Sequence, residues 1–462
     1  MNTSSTRQMK IRCCALTVVS AIVTALALPN EVFPYGNPFF TGISIAPFII
    51  AIFESPSRRF AGGMGALFAL ISSLITYFWL LFFQEFSAWT LGGVTLGHVL
   101  YFYIFSQFLF TLTRKAYPER PFIIGAAWTV YEYLKSVGYL GFPWGLLPHT
   151  VGGVLPLIQI VDMTGIWGIS FLLASVNALV AESLLSWTAP APRFEHWAAC
   201  TARIRIGKLR THAVSGALRR TEIGMGWLFI CTLLLFSLGY GTVTLKRSSQ
   251  GKADRTLKVA LVQQNADSWI AGLEIASIKK GQDITRACLS EQGESIDLVV
   301  WSENSFRAPY TEESLLYRTQ PQGDTFVSFM EEIETPLLVG NPVVIDREKG
   351  DALNAAVLIS PEGKVIQYYG KQHLVPFAES IPFWDVPAVR SFFENFVGLE
   401  SAGWTAGREN TVFSVPLKNG GTVRFGVPIC FEDVFPGLCR NFFKAGADLL
   451  INITNDSWSK TI

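Results

Sequence analysis

One cysteine stands where a buried strand is predicted to end. The run Thr422-Val-Arg-Phe-Gly-Val-Pro-Ile429 is mostly apolar and rich in β-formers, and the chain turns polar directly after Cys430. A rigid sheet aims the side chain at such a strand end into the space that the following loop leaves open. Cys430, with Glu432 two residues later, is therefore a candidate nucleophile, although a lone cysteine is more often a small buried apolar residue.

Two further strand ends carry residues that suit the same chemistry. The strand 296–301 is followed by Glu303, and the strand ending at Tyr369 is followed by Lys371 and Glu379. Each of these alone is more simply read as a solvated surface residue. Together, a base, a cation and a thiol at successive strand ends form a working set for acyl transfer.

The elements that must position these residues alternate between strand and helix from about residue 255 onward. This alternation predicts an α/β domain over residues 251–462. A turn at Ser360-Pro-Glu-Gly363 predicts a β-hairpin, because Pro and Gly stand where turn geometry requires them. The predicted strands are 257–263, 296–301, 336–340, 353–359, 365–369, 423–429 and 447–453.

The overall composition of the chain excludes several classes of protein and of site. Of 462 residues, 50% are hydrophobic and only 16% are charged, which is too apolar for a soluble protein of this length. The net charge of +1 indicates no nucleic-acid partner. The seven cysteines are scattered without a CxxC pair, which argues against a disulfide framework and a zinc site, and we expect no cofactor.

The apolar residues concentrate in residues 1–250, where they predict a bundle of about seven membrane spans. Lys and Arg occur in alternate loops, and seven of them lie in the linker 188–224. Because cytoplasmic loops carry the excess of basic residues, the N-terminus is predicted in the cytoplasm and residues 251–462 on the opposite face. Span 1 could instead be a cleaved signal sequence. The predicted spans are 13–29, 38–53, 60–83, 92–113, 121–137, 165–187 and 225–244.

Two features of the bundle could serve more than packing. The loop 138–164 contains Gly141-Phe-Pro-Trp144, in which Trp144 is either an interfacial aromatic anchor or part of a lipid-facing vestibule; His149 is a weak ligand candidate. Glu132 lies within a span, where a carboxylate is costly and usually faces a partner or a cavity. Lys135, three residues later, could be that partner.

Several motifs resemble a known superfamily. The order Glu, Lys, Cys, set in Trp301-Ser-Glu303, Gly370-Lys-Gln-His-Leu-Val-Pro-Phe377 and Pro428-Ile-Cys-Phe-Glu432, resembles the nitrilase, or carbon–nitrogen hydrolase, superfamily. The preceding membrane bundle and the Gly-Phe-Pro-Trp loop narrow the resemblance to the apolipoprotein N-acyltransferases. The resemblance implies a helical membrane bundle joined to a nitrilase-like αββα sandwich. It also implies that the family continues beyond residue 462 with the rest of the sandwich and an eighth span.

The resemblance assigns roles residue by residue. Glu303 corresponds to the general base, Lys371 to the cation that stabilises the oxyanion, and Cys430 to the nucleophile. The resemblance also implies supporting groups near these three residues, at Glu379, Glu432 and Phe431. It further implies tentative substrate-binding residues at Trp144, Trp269, Arg390 and Trp458.

The resemblance implies transfer of a fatty acyl chain from a membrane phospholipid, through a cysteine thioester, to the N-terminal amine of a diacylated apolipoprotein. It places the enzyme in the bacterial inner membrane, with the catalytic domain on the periplasmic face. Two alternatives remain open from the residues. A membrane-tethered amidase would transfer the acyl group to water, and an inactive truncated scaffold would form no acyl adduct.

Overall fold

The computed structural model comprises two compact units, Met1–Leu81 with Leu91–Gly251 and Phe82–Thr90 with Lys252–Ile462. The first is helical and the second is an α/β unit. The described residues are 3–82, 87–114, 117–138, 141–188, 208–250, 255–266, 270, 272–292, 296–311, 313–376, 379–381, 383–397 and 403–457.

Long helices dominate the N-terminal half of the chain. Within the described residues, five stretches of helix are long and apolar enough to cross a membrane: Ser5–Ala27, Arg58–Thr76, Thr90–Thr113, Ile166–Trp187 and Arg220–Gln250. The helices are α1 (Thr3–Ala27), α2 (Pro38–Thr41), α3 (Ala46–Glu54), α4 (Arg58–Thr76), α5 (Ser87–Thr113), α6 (Arg120–Ser136), α7 (Leu155–Ile158), α8 (Val161–Thr164), α9 (Ile166–Thr188) and α10 (Lys208–Gln250), with 3-10 turns at Phe78–Phe82 and Leu147–Val151.

The stretch 38–53, predicted as one span, forms the two short helices α2 and α3. The break between them is stabilised by Asn177 of α9. Its side-chain oxygen accepts from the N–H groups of Ile45 and Ala46 at 3.0 and 3.1 Å, and its amide donates to the carbonyl of Thr41 at 2.7 Å. A helix can be interrupted in an apolar setting only where such a partner binds the freed backbone groups.

The stretch 188–224, predicted as a linker, is partly helical. Helix α10 begins at Lys208 and continues without interruption to Gln250, so the predicted span 225–244 is only its central part. Residues 189–207 lie outside the described residues.

Small residues bring neighbouring helices of this unit into close contact. A Cβ atom on Gly125 of α6 would lie 2.1 Å from Ser175 Oγ of α9, and one on Gly65 of α4 would lie 2.0 Å from Ser106 Oγ of α5. Close backbone approach at small residues is typical of helix packing in membranes. A buried ion pair between Arg120 and Glu182 adds a charged contact between α6 and α9.

The α/β unit contains two sheets. In the five-stranded sheet, β1 (Val259–Val262), β2 (Leu298–Trp301) and β3 (Leu337–Asp346) run parallel, and β4 (Asp351–Ile359) and β5 (Val365–Gly370) add antiparallel strands. The predicted hairpin at 360–363 is confirmed as the β4–β5 turn. The three-stranded sheet has the order β6 (Val412–Pro416), β7 (Thr422–Gly426), β8 (Leu449–Leu450).

Helices bury apolar side chains against both sheets. Helix α11 (Glu274–Gln292), α12 (Ser314–Thr319) and α13 (Phe326–Ile333) contribute Ile278, Tyr317 and Phe329 to a core around Trp301 of β2. Helix α14 (Pro387–Phe392) leads into a π-helical turn, Phe393–Val397. Helix α15 (Pro436–Lys444) lies on the second sheet, where Phe442 is completely buried.

The strand that leads to Cys430 is shorter than predicted. Regular pairing of β7 ends at Gly426, and Ile429 forms a single bridge to Ile453. Pro428 interrupts the ladder because it has no N–H to donate. The nucleophile candidate therefore stands at the end of an irregular extension of the strand.

Candidate active site

The backbone around Cys430 forms a sharp turn. Its N–H donates to the carbonyl of Ile453 at 2.8 Å, and a 3-10 turn, Cys430–Val434, follows at once. The φ angle of Cys430 is 51°, in the left-handed region that non-glycine residues seldom adopt. Such strain is retained where the surroundings fix it, often at functional sites. As a residue, Cys430 is half-buried, and its thiol is sheltered enough for burial to raise its pKa.

Glu303 lies just beyond the end of β2 and is 4% exposed. A glycine in the neighbouring strand allows it to lie there. A Cβ atom on Gly340 of β3 would lie 2.6 Å from the Cα of Glu303 and 2.4 Å from the backbone nitrogen of Asn304. Asn304 itself has a φ of 52°, which turns the chain sharply after the carboxylate.

Lys371 follows β5 and is almost completely buried, with 1% exposure. Its ammonium donates to Oε1 of Glu303 at 3.1 Å and to Oε1 of Glu379 at 2.8 Å. The structure therefore brings together three of the predicted site residues in one buried ion-pair cluster. A buried charge of this kind requires such partners, because desolvation of an unpaired ammonium costs several kcal/mol.

Asn354, in the middle of β4, completes this cluster. Its amide donates to Oε1 of Glu303 and to Oε1 of Glu379, each at 2.8 Å. The second oxygen of Glu379 accepts from the backbone N–H of Val375 at 2.8 Å. Lys371 and Asn354 therefore both donate to Oε1 of Glu303 and to Oε1 of Glu379, and so bridge the two carboxylates.

Electrostatics distinguish the three predicted catalytic groups. Burial raises the pKa of Glu303 above its usual value, against the opposing effect of Lys371. Burial alone would lower the pKa of Lys371, but Glu303 and Glu379 raise it well above its usual value, so the ammonium stays charged. Burial and then the charge of Glu303 raise the pKa of Cys430 to about 12, whereas Lys371 and a hydrogen bond with Thr454 lower it. The resting cysteine is therefore a neutral thiol.

Glu432 lies in the same region but contacts neither Cys430 nor Lys371 through a hydrogen bond of its carboxylate. It is fully buried, and its carboxylate accepts from the hydroxyl of Tyr369 at 2.9 Å. Three backbone N–H groups also donate to it, those of Gln372 at 2.7 Å, His373 at 3.0 Å and Ile429 at 2.9 Å. Burial raises the pKa of Glu432, and these donors oppose that rise.

This arrangement joins the segment after Lys371 to the strand extension before Cys430. Phe431, between Cys430 and Glu432, is buried and packs its ring edge-on against Phe435 at 5.0 Å. Phe435 in turn stacks on His373 at 4.0 Å. The predicted supporting residues therefore fix the mutual position of the lysine and the cysteine.

The tentative substrate-binding residues are spread across the chain. Trp269 and Trp458 lie outside the described residues. Arg390 is exposed on α14, with its guanidinium 5.8 Å from the ring centre of Trp384. Trp144 belongs to the helical unit, where its ring contacts Trp79 at 5.0 Å and its carbonyl accepts from Lys135 at 2.6 Å.

Glu132 and Lys135, predicted as partners, bind different groups. Glu132 accepts from the N–H of Leu147 at 2.8 Å, from the indole of Trp128 at 3.1 Å and from the hydroxyl of Ser170. Lys135 and Glu132 thus both contact the loop that carries Trp144.

Sequence reasoning missed Asn354 and Tyr369 as members of the site. Asn354 interrupts the apolar run Leu353-Asn-Ala-Ala-Val-Leu-Ile359, and a lone amide in a buried strand signals a polar partner, because buried amides are hydrogen-bonded. Tyr369 carried no such signal, since tyrosine is common in strands.

Comparison with known proteins gives two matches to protein families. Residues 20–179 match the family described as "Apolipoprotein N-acyltransferase N-terminal domain". Residues 258–461 match the family described as "Carbon-nitrogen hydrolase". Together the matches cover both the helical and the α/β parts of the chain.

Three relatives are similar over most of the chain. "Apolipoprotein N-acyltransferase 2" of Treponema denticola is 36% identical, over 96% of this chain and 79% of its own. The protein of the same name in Treponema pallidum is 34% identical, over 96% and 78%. "Apolipoprotein N-acyltransferase" of Borreliella burgdorferi is 30% identical, over 98% and 80%. Among solved structures, Saccharomyces cerevisiae Nit3 of the nitrilase superfamily is 22% identical, over 43% of this chain and 64% of its own, with a TM-score of 0.28.

Proposed function

The chain belongs to the apolipoprotein N-acyltransferase family, and from this premise we propose that it transfers a fatty acyl chain from a membrane phospholipid to the N-terminal amine of a diacylated apolipoprotein. The observation that carries the proposal is the position of Cys430, a half-buried residue close enough to the buried Glu303–Lys371 pair for both charges to shift the pKa of its thiol. A thiol, a carboxylate and a fixed cation are the groups that a thioester intermediate requires.

In the first step, Glu303 takes the proton of Cys430 as the sulfur attacks the ester carbonyl. Glu303 raises the pKa of Cys430 only while its carboxylate is charged, whereas Lys371 lowers it throughout. Moving the proton from the thiol to the carboxylate therefore removes the opposing charge and leaves a thiolate beside an ammonium. The raised pKa of Glu303 brings this base closer to neutral pH, where general bases work best.

The tetrahedral intermediate carries a negative oxygen. Lys371 and the backbone N–H of Phe431 stabilise it, and each donor of this kind contributes about 3–4 kcal/mol. The carbon–oxygen ester bond then breaks, Glu303 returns its proton to the departing lysophospholipid oxygen, and a thioester remains on Cys430.

In the second step, the α-amine of the acceptor attacks the thioester. Glu303 takes a proton from the amine, the carbon–sulfur bond breaks, and the proton passes to the cysteine sulfur. The product is an amide, and Cys430 is restored as a thiol. Glu379 and Asn354 hold Lys371 and Glu303 in place through both steps.

The helical half suits this reaction because both substrates are confined to a bilayer. We propose that residues 1–250 are a membrane bundle of about seven spans and that residues 251–462 are the catalytic domain. The distribution of Lys and Arg supports a cytoplasmic N-terminus and a periplasmic catalytic domain in the inner membrane of a bacterium.

The test is the intact mass of the full chain after incubation with a diacyl phospholipid of defined chain length. We expect the mass to rise by one acyl chain and hydroxylamine to remove it, as for a thioester. Cys430→Ser should form no hydroxylamine-labile adduct. Cys439→Ser, which replaces another half-buried cysteine of the same unit, is the matched control and should still form it.

A second stage identifies the acceptor. A synthetic diacylated lipopeptide should take the acyl chain from the loaded enzyme, whereas buffer alone should release it slowly. Rapid release as free fatty acid in buffer would instead indicate the amidase alternative. A folded chain that forms no adduct would contradict the proposed chemistry.

A further inference from the structure

The helical unit contains a cavity of about 40 Å³ among its helices. Polar side chains from four helices line it: Thr24 of α1, Thr76 of α4, His98 of α5, and Glu132 and Lys135 of α6. A space of this kind in an apolar bundle would normally be filled by side chains, because empty volume forfeits packing contacts.

Three buried side-chain atoms of the residues that line the cavity have no hydrogen-bond partner among the described residues. They are Nε2 of His98 and the hydroxyl oxygens of Thr24 and Thr76. His98 and Thr24 are only 8% and 7% exposed, and Nδ1 of His98 is already bound to the hydroxyl of Ser73 at 3.0 Å. An unsatisfied buried polar group costs about 1–3 kcal/mol, so three at one cavity indicate that something polar binds there.

The size and charge of the cavity identify the ligand. One water needs roughly 10–15 Å³ measured in this way, so a cavity of about 40 Å³ holds about three. An apolar molecule would leave the three polar atoms unpaired. A metal ion is not supported, because no group of three or more His, Cys, Asp or Glu side chains that could hold one occurs among the described residues.

We propose that this cavity is a water-binding site inside the helical unit, in which about three ordered waters bridge His98, Thr24 and Thr76 to Lys135. Lysine has three N–H donors. The ammonium of Lys135 directs one to the carbonyl of Trp144 at 2.6 Å and lies 3.4 Å from the hydroxyl of Tyr77. The remaining donor hydrogen-bonds to the waters.

The site has a consequence for the neighbouring loop. Tyr77 also donates to the carbonyl of Trp144 at 2.9 Å, and Glu132 accepts from the N–H of Leu147 at 2.8 Å. The waters solvate the lysine that holds Trp144, so the ammonium can remain charged within an apolar bundle. The hydrated cavity thereby supports the position of the loop.

The test uses threonine-to-valine substitutions, which remove a hydroxyl with little change in shape. Thr24 and Thr17 form a matched pair in helix α1, since both hydroxyls are buried without a partner among the described residues, but only Thr24 lines the cavity. If waters bind Thr24, Thr24→Val deprives them of a partner and lowers the melting temperature of the full chain by roughly 2–4 °C. Thr17→Val removes an unsatisfied group and should raise it or leave it unchanged.

Two further variants keep the test decisive. Thr76→Val should behave as Thr24→Val, whereas Thr24→Ser, which keeps the hydroxyl, should restore most of the lost stability. Density for waters within hydrogen-bond distance of Nε2 of His98 in a high-resolution map would agree with the proposal. A dry cavity in that map, or an equal rise in melting temperature for Thr24→Val and Thr17→Val, would overturn it.

Discussion

Each half of the molecule buries a lysine close to a glutamate, but the two clusters are built differently. In the α/β unit, Lys371 contacts the carboxylates of Glu303 and Glu379 directly. In the helical unit, Lys135 and Glu132 each bind the backbone of the loop 141–151 instead. The charge of Lys371 also acts on the thiol of Cys430, whereas Lys135 donates to the backbone of a loop.

The largest expected effect separates the two lysines. Lys371→Met removes the proposed oxyanion donor and leaves two buried carboxylates without their cation. We expect the rate of thioester formation to fall by at least about 10²-fold and the free energy of unfolding by about 3–5 kcal/mol. The rate of thioester formation is measured from the amount of acyl adduct against time, normalised to the folded fraction. The free energy of unfolding is measured from a melting curve.

The matched variant is Lys135→Met. It should lower the melting temperature, because the carbonyl of Trp144 loses a donor, with a much smaller loss of rate per folded molecule. Equal losses of rate in the two variants would break the distinction between a catalytic and a loop-fixing lysine.

The next effect tests how closely Glu303 must be placed. A methyl group at Gly340 would lie 2.6 Å from the Cα of Glu303, so Gly340→Ala must displace the base. Because misplacement of a catalytic group by about 1 Å can cost 10²-fold, we expect a rate loss of that order in a protein that still folds. Gly437→Ala is the control, since a Cβ there meets nothing within 4 Å. Normal activity of Gly340→Ala would show that the base tolerates movement.

The smallest effect concerns pH. Glu303 must be ionised to accept the thiol proton, so thioester formation should rise with pH through the pKa of Glu303, which burial places above its usual value. Asn354 donates to this carboxylate and thereby lowers its pKa. Asn354→Ala should therefore move the acidic limb of the pH–rate profile to higher pH. A profile that stays in place, or moves to lower pH, would show that Glu303 is not the group that titrates.

The sequence supplied the α/β class, the hairpin and the placing of Glu303, Lys371 and Cys430 at strand ends. These follow from local patterns, because alternation and turn residues act over a few positions. Lys371 and Asn354 can donate to the same carboxylate oxygens because of the register of β4 against β5. No local pattern in the sequence specifies that register. The role of each site residue stays a prediction until the variants are measured.

The helical half shows the same limit. Apolar runs predicted helices near 60–83, 92–113 and 165–187, but not the break between α2 and α3. That break depends on Asn177, more than 130 residues later in the chain. The cavity also could not be foreseen, since Thr24, Thr76 and His98 meet only through the rotation of separate helices about their axes.

The carboxylate of Glu432 accepts from the amides of Gln372 and His373 after the first sheet and from that of Ile429 in the second. Each of these amides can exchange with deuterium only when its own hydrogen bond to the carboxylate opens. Two segments nearly sixty residues apart therefore depend on one side chain, Gln372 and His373 on its Oε1 and Ile429 on its Oε2. Withdrawal of the whole carboxylate would free the loop after the lysine and the strand before the cysteine together, so this one side chain couples the two sheets at the site.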